Sequence, residues 1–202
     1  MRAHEKTRRL TGLALMTAIV VVLQLVASAL VRVGVFAPTL TLAPILIGAA
    51  IYGPKAGAYL GGVFGVVVTI TCIIGWDAGG NALWNANPFL TALICIVKGV
   101  AAGLAAGLVY RAVVGDSLAH GRMIAGSVAA GIVSPVVNTG IFLLGLFFLF
   151  PSFLEAWATS AGQTVLTYII FTMVSINFAL ELVINLVLST VIVRVIGARM
   201  LR

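Results

Sequence analysis

MIAGSVAAGIVSPVVNTGIFLLGLFFLFPSFL, residues 123–154, passes without a single ionisable side chain. A helix needs about 20 mainly apolar residues to cross the hydrocarbon core of a bilayer, and this stretch has that length to spare. Leu10–Val31, Ala56–Trp76 and Ala156–Leu180 are equally free of charge. A soluble domain has no use for so many such blocks. The chain is therefore read as an all-α membrane protein, a single integral membrane domain over residues 1–202.

The composition agrees. The chain is 62% hydrophobic and 8% charged, against ~25% charged in an average soluble domain, and its mean hydropathy is +1.21. Disorder requires the opposite balance of low hydrophobicity and high charge. At 202 residues there is no room beside the spans for a soluble catalytic or nucleotide-binding domain. No GxxxxGK[ST] loop occurs, so any ATP-driven work needs an ATPase on another subunit. The N-terminus is basic and then apolar, as in a signal peptide, but its apolar run is too long for an h-region and is read as the first span.

Six transmembrane helices are expected: about Thr7–Val31, Pro38–Tyr52, Lys55–Ile74, Pro88–Val114, a fifth ending near Phe150, and Thr164–Ile196. Gly53-Pro54 is a tight turn between the second and third, and Pro135 should kink the fifth. Gly75–Asn87 and Pro151–Gln163 are read as polar loops. The net charge of +7 would suggest nucleic acid in a soluble protein. Here the basic residues gather at span ends, and no nucleic-acid partner is expected. With both termini on one side, Arg2, Lys6, Arg8, Arg9, Lys55, Arg111, Arg122, Arg194, Arg199 and Arg202 fall together, which the positive-inside rule assigns to the cytoplasm. Arg32 alone lies in an outer loop, and Lys98 is inside the fourth span. Trp76, Trp84 and Trp157 then suit an outer interfacial belt.

Few polar groups are left inside the membrane, and those are where function is to be sought. Asn177, Glu181 and Asn185 fall at i, i+4 and i+8 on one helix face. Glu181 needs a partner, a proton or water, and Lys98 could pair with it directly or through water. The cluster either lines a ligand cavity or its floor, or fixes helix register as a buried pair. Asn138 and Thr139, just after Pro135, either contact ligand or satisfy the carbonyl that the proline frees. Asn81, Trp84, Asn85 and Asn87 offer amides and an aromatic face on the outer side, suited to gripping a small molecule or simply to a solvated loop. Ala14-x-x-x-Ala18 in the first span and Gly57-x-x-x-Gly61-x-x-x-Gly65 in the third permit close helix approach, within this chain or against another subunit.

Catalysis finds no support. His4 and His120 lie at cytoplasmic ends, and neither HExxH nor GxSxG occurs. Cys72 and Cys95 fall in apolar runs and read as small buried residues. No metal site and no cofactor are expected.

Four stretches bear a resemblance to the substrate-binding S components of energy-coupling factor (ECF) vitamin transporters. They are Leu13-Ala14-Leu15-Met16-Thr17-Ala18; Leu42–Gly48 with Tyr52-Gly53-Pro54-Lys55-Ala56-Gly57 and Gly61–Gly65; Asn87-Pro88-Phe89 leading to Lys98-Gly99 and Gly103; and Pro135–Gly140 with Asn177–Glu181. The Gly-Pro-x-x-Gly block is the most specific. The resemblance implies six helices, cytoplasmic termini and a vitamin pocket near the outer face of a bacterial plasma membrane. It implies docking through Ala14 and Ala18 onto an ECF transmembrane coupling subunit driven by two ABC ATPases, and transport by toppling of the S component. The substrate is not fixed. Arg32 and Lys98 favour an acidic ligand such as pantothenate, while the Asn and Trp loop would suit riboflavin. Competing expectations are a ligand-free membrane scaffold and a stand-alone proton-coupled carrier using Glu181. A carrier of that kind usually shows an internal helix repeat, and no convincing one is visible.

Overall fold

A computed structural model of the chain describes residues 2–30, 41–115 and 119–174, together with 178, 182, 183 and 187. Among these there is no strand. The helices are α1 (Arg2–Leu30), α2 (Leu42–Tyr52), α3 (Pro54–Ile73), α4 (Ala78–Ala86), α5 (Pro88–Val114), α6 (His120–Leu149), α7 (Pro151–Ser160) and a short α8 (Val165–Thr167) that continues as a π-helical segment, Tyr168–Val174. Four of them are long and apolar enough to cross a bilayer: Lys6–Ala29 of α1, and α3, α5 and α6. At 11 residues, α2 extends only ~16 Å at 1.5 Å per residue, about half the hydrocarbon thickness.

Glycine sets the closest approach in the bundle. α3 and α5 run antiparallel with backbone against backbone. A Cβ at Gly57, Gly61 or Gly65 would strike the carbonyl of Gly103, Gly99 or Cys95, and a Cβ at Gly99 or Gly103 would strike Gly61 or Gly57 in return. Gly107 lies just as closely on Pro54. The small-residue stripe of the third span is thus spent on packing inside this chain. α6 packs along the other side of α5, where a Cβ at Gly126 would meet Val114 and one at Gly145 would meet Ile94. Although Pro135 lies inside α6, the helix is continuous across it.

The turn between α2 and α3 forms as expected. Gly53 adopts φ 92°, which suits a residue without a Cβ, and Pro54 opens α3 at a position where its missing N–H costs nothing. The positive ends of two arginines tie helices together at this end of the bundle. Arg9 Nη2 donates to the carbonyl of Tyr52 at 3.0 Å, and Arg122 Nε donates to that of Val113 at 3.2 Å. These carbonyls lie in the last turns of α2 and α5, where backbone acceptors are unsatisfied and cations are favoured.

At the opposite end the structure corrects two expectations. Both segments read as loops contain helices. Asp77 caps α4, its Oδ1 accepting from Gly80 N at 2.8 Å, and Pro151 opens α7. Their polar composition hides short amphipathic helices that lie over the bundle. Leu83 of α4, Ile94 of α5, Leu146 of α6, and Leu154 and Ala158 of α7 are buried in one cluster.

Candidate functional site

Lys98 is the singular residue of the bundle interior. It lies ten residues into α5, ~15 Å from that helix's Pro88 end, and is only 9% exposed. Gly99 and Gly103 bring α3 so close that Phe64, fully buried, flanks the lysine on one side. Phe142 of α6 flanks it on the other. The ammonium Nζ is 4.5 Å from the Phe142 ring centroid and 6.0 Å from that of Phe64. An aromatic face attracts a cation, with about 2 kcal/mol available when the pair is desolvated. Placing a lysine at the centre of a membrane helix costs roughly 2.5–3.5 kcal/mol even on the most lenient scale. The two rings therefore offset most of the cost and leave the ammonium able to gain from an anion.

One helical turn below Phe142 on the same face of α6 is Asn138. It is 3% exposed, and its Oδ1 has no hydrogen-bond partner among the described residues. A buried acceptor left unpaired is costly. Lys98 and Asn138 thus bring a cation and, among the described residues, an unpaired acceptor to one junction of α3, α5 and α6. Thr139, partly buried, is turned about 100° round the helix from Asn138.

The residues on the outer loop are placed differently from one another. Asn81 Nδ2 donates to the carbonyl of Cys72 at 2.8 Å, and Asn85 Nδ2 donates to Asn81 Oδ1 at 3.2 Å. The first bond fastens α4 to the end of α3, and the second lies within α4. Asn87 caps α5, its Oδ1 accepting from Leu90 N at 3.1 Å. Trp84 is partly buried and packs against the core cluster of α1, α2, α3 and α5 that contains Phe64, Cys72 and Cys95. Asn85 remains exposed. α4 is therefore a fixed cover over this end of the bundle, built by its own amides. Asn177 and Glu181 lie outside the described residues, as do Asn185 and Arg32. Cys72 and Cys95 are free and buried, as expected.

Reading the sequence alone missed three groups. The aromatic pair around Lys98 carries no motif, since phenylalanine is unremarkable in a membrane helix. Ser127 and Ser134 are fully buried on α6, and neither Oγ has a hydrogen-bond partner among the described residues. Gln24, Ser28 and Thr41 form a buried network: Gln24 Nε2 donates to Ser28 Oγ at 3.1 Å, and Thr41 Oγ1 donates to Gln24 Oε1 at 3.1 Å. The four-residue spacing of Gln24 and Ser28 in an otherwise apolar span was the available signal for that network.

Ala14 and Ala18 are exposed on α1, in line with exposed Val22 and Val26, while Leu13 and Met16 face the core. The described bundle leaves the small-residue face uncovered.

Comparison with known proteins fits this arrangement. The chain is 31% identical over 191 residues to the pantothenic acid transporter PanT of Lactococcus lactis subsp. cremoris (strain MG1363), covering 90% of this chain and 89% of that protein. No solved structure matches it. A family model described as "ECF transporter, substrate-specific component" matches residues 8–193, nearly the whole chain, and the protein belongs to that family of transporter subunits.

Proposed function

We propose that this chain captures an acidic, water-soluble vitamin from outside the cell, pantothenate being the favoured ligand, and delivers it for ATP-driven import. The observation that carries this reading is the Lys98 ammonium held between Phe64 and Phe142 inside the bundle. It is a buried cation on apolar supports, poised for a carboxylate. Asn138, one turn below, supplies an acceptor to a ligand hydroxyl or amide N–H. Thr139 joins the same ligand site, and α4, with Asn81, Trp84, Asn85 and Asn87, closes it from outside. Pantothenate carries one carboxylate, an amide and hydroxyls, which this combination of cation and amides matches. A flavin ring would leave the lysine unpaired. The likeness to PanT supports the same choice.

In this reading the chain spans the bacterial plasma membrane six times with both termini cytoplasmic. The end of the bundle bearing Arg8, Arg9, Lys55, Arg111 and Arg122 faces the cytoplasm, as the positive-inside rule requires. The exposed Ala14 and Ala18 face docks onto the ECF transmembrane coupling subunit, which two ABC ATPases drive. The chain has no enzymatic role of its own.

The test is to purify the protein from cells fed each vitamin and identify any released small molecule by mass spectrometry. Pantothenate or a related hydroxylated acid at near one per chain is expected. Recovery of riboflavin, or of no ligand after supplementation with every common vitamin, would overturn the assignment.

A further inference from the structure

Cys72 and Cys95 are the two cysteines of the chain, and the fold brings them together. Both are free and buried, at 1% and 4% exposure. Cys72 lies seven residues beyond Gly65, on the face that α3 turns to α5. Cys95 lies opposite Gly65, where an added Cβ would strike its carbonyl. The Cβ of a helical residue leans toward the N-terminus of its own helix. Because α3 and α5 run antiparallel, the two side chains lean toward each other along the seam, and the thiols meet as hydrogen-bond partners. α4 closes the end of this seam, with Gly80 so near that an added Cβ would strike Cys72 Sγ.

The backbone is not placed for a disulfide. Seven residues of helix separate the two levels by ~10 Å, whereas bridged cysteines hold their Cα atoms within about 7 Å. An ion between the two sulfurs supplies the missing reach. Zinc would need about four ligands, and no group of three or more His, Cys, Asp or Glu side chains is gathered among the described residues. A soft, monovalent, closed-shell ion prefers thiolate, and two thiolates in line satisfy it.

The charges around the pair suit such an ion. Lys98 follows Cys95 by three residues, a neighbouring position on one side of the helix. It is 9% exposed, its ammonium rests on two aromatic rings, and its charge reaches both thiols. Asp77 is the other charge felt there. Its Oδ1 accepts from Gly80 N at 2.8 Å, which holds the carboxylate at the favourable N-terminal end of α4.

We propose that Cys72 and Cys95 form a two-coordinate site for one soft monovalent cation, Cu(I) or Ag(I), clamped between α3 and α5. Binding replaces two S–H bonds with two sulfur–metal bonds and releases two protons, since thiols ligate as thiolates. The bound unit carries one negative charge, which the Lys98 ammonium balances. The glycine contacts between α3 and α5 hold the two sulfurs ready, so the ion needs no large rearrangement of the helices.

The test is titration of the full chain, purified in detergent under anaerobic conditions without added thiol. Cu(I) is offered in competition with bicinchoninate, and Ag(I) serves as a probe that undergoes no redox change. One ion per chain and two protons released per ion are expected. Cys72→Ala or Cys95→Ala alone should weaken binding by more than the roughly 10–100-fold that loss of an outer-shell partner costs. No binding against the competitor, or undiminished binding in either single variant, overturns the site. If a variant fails to accumulate, X-ray absorption of the Cu(I)-loaded wild-type chain decides. A shell of two sulfurs supports the site, and a shell of nitrogen or oxygen overturns it. None of these readouts involves a vitamin, so failure here leaves the transport reading untouched.

Discussion

Lys98 is a burden on the fold that two aromatic rings partly relieve. Its ammonium rests 4.5 Å from Phe142, where the ring's attraction of about 2 kcal/mol nearly balances its placement in the membrane. On the proposed reading, an anionic ligand shifts that balance. Lys98→Met keeps the length of the side chain and removes the charge. Loss of a charge-assisted hydrogen bond is worth about 2 kcal/mol, so we expect binding of an acidic vitamin to weaken roughly 30-fold with the thermal midpoint of the empty protein unchanged or raised. Isothermal titration and thermal unfolding of the same preparation check both. Equal affinity for wild type and Lys98→Met would remove the lysine from the site. The sequence revealed Lys98 as the one base inside a span. It did not reveal the aromatic brackets, because contact between residues 64, 98 and 142 depends on helix packing that no local spacing encodes.

The helices behave according to their small residues and their caps. α3 and α5 touch through Gly57, Gly61, Gly99 and Gly103, where any Cβ would meet a carbonyl of the other helix. Gly61→Ala must push the two helices apart, at about 1–3 kcal/mol for overpacking. A thermal midpoint several degrees below wild type is the expected result, with weaker ligand binding, since Phe64 and Lys98 are positioned across this contact. An unchanged midpoint would mean that the two helices are not so closely joined. Asn87→Ala removes the cap of α5, Oδ1 to Leu90 N, and should cost about 1 kcal/mol by chemical denaturation. Here the limits of sequence reading are plain. Charge-free blocks identify a span because hydrocarbon excludes ions, and the ends of α3 and α5 fall within a residue of the boundaries expected. The two helices at the other end, α4 and α7, escaped notice. Each is ten residues or shorter, and amides and glycine in Gly75–Asn87 read as turn chemistry until Asp77 is seen to cap a helix.

At the scale of the molecule, the described bundle leaves a face of α1 uncovered at Ala14 and Ala18, while the glycine stripe of α3 is buried against α5. Both stripes look alike in sequence, and only packing tells which is free for a partner. Ala14→Trp should leave vitamin binding by the purified chain intact and abolish uptake by cells expressing it with its transporter partners. Loss of binding as well would place Ala14 in the fold and not at a docking face. On the proposed reading, the buried Lys98 cation and the unpaired Asn138 oxygen together hold an acidic vitamin. The most direct test is titration of the purified chain, alone in detergent and stripped of ligand, with pantothenate and with riboflavin. Saturable one-to-one binding of pantothenate, lost in Lys98→Met and absent for riboflavin, is the predicted result. Binding of riboflavin in preference, or pantothenate affinity indifferent to Lys98, would contradict it.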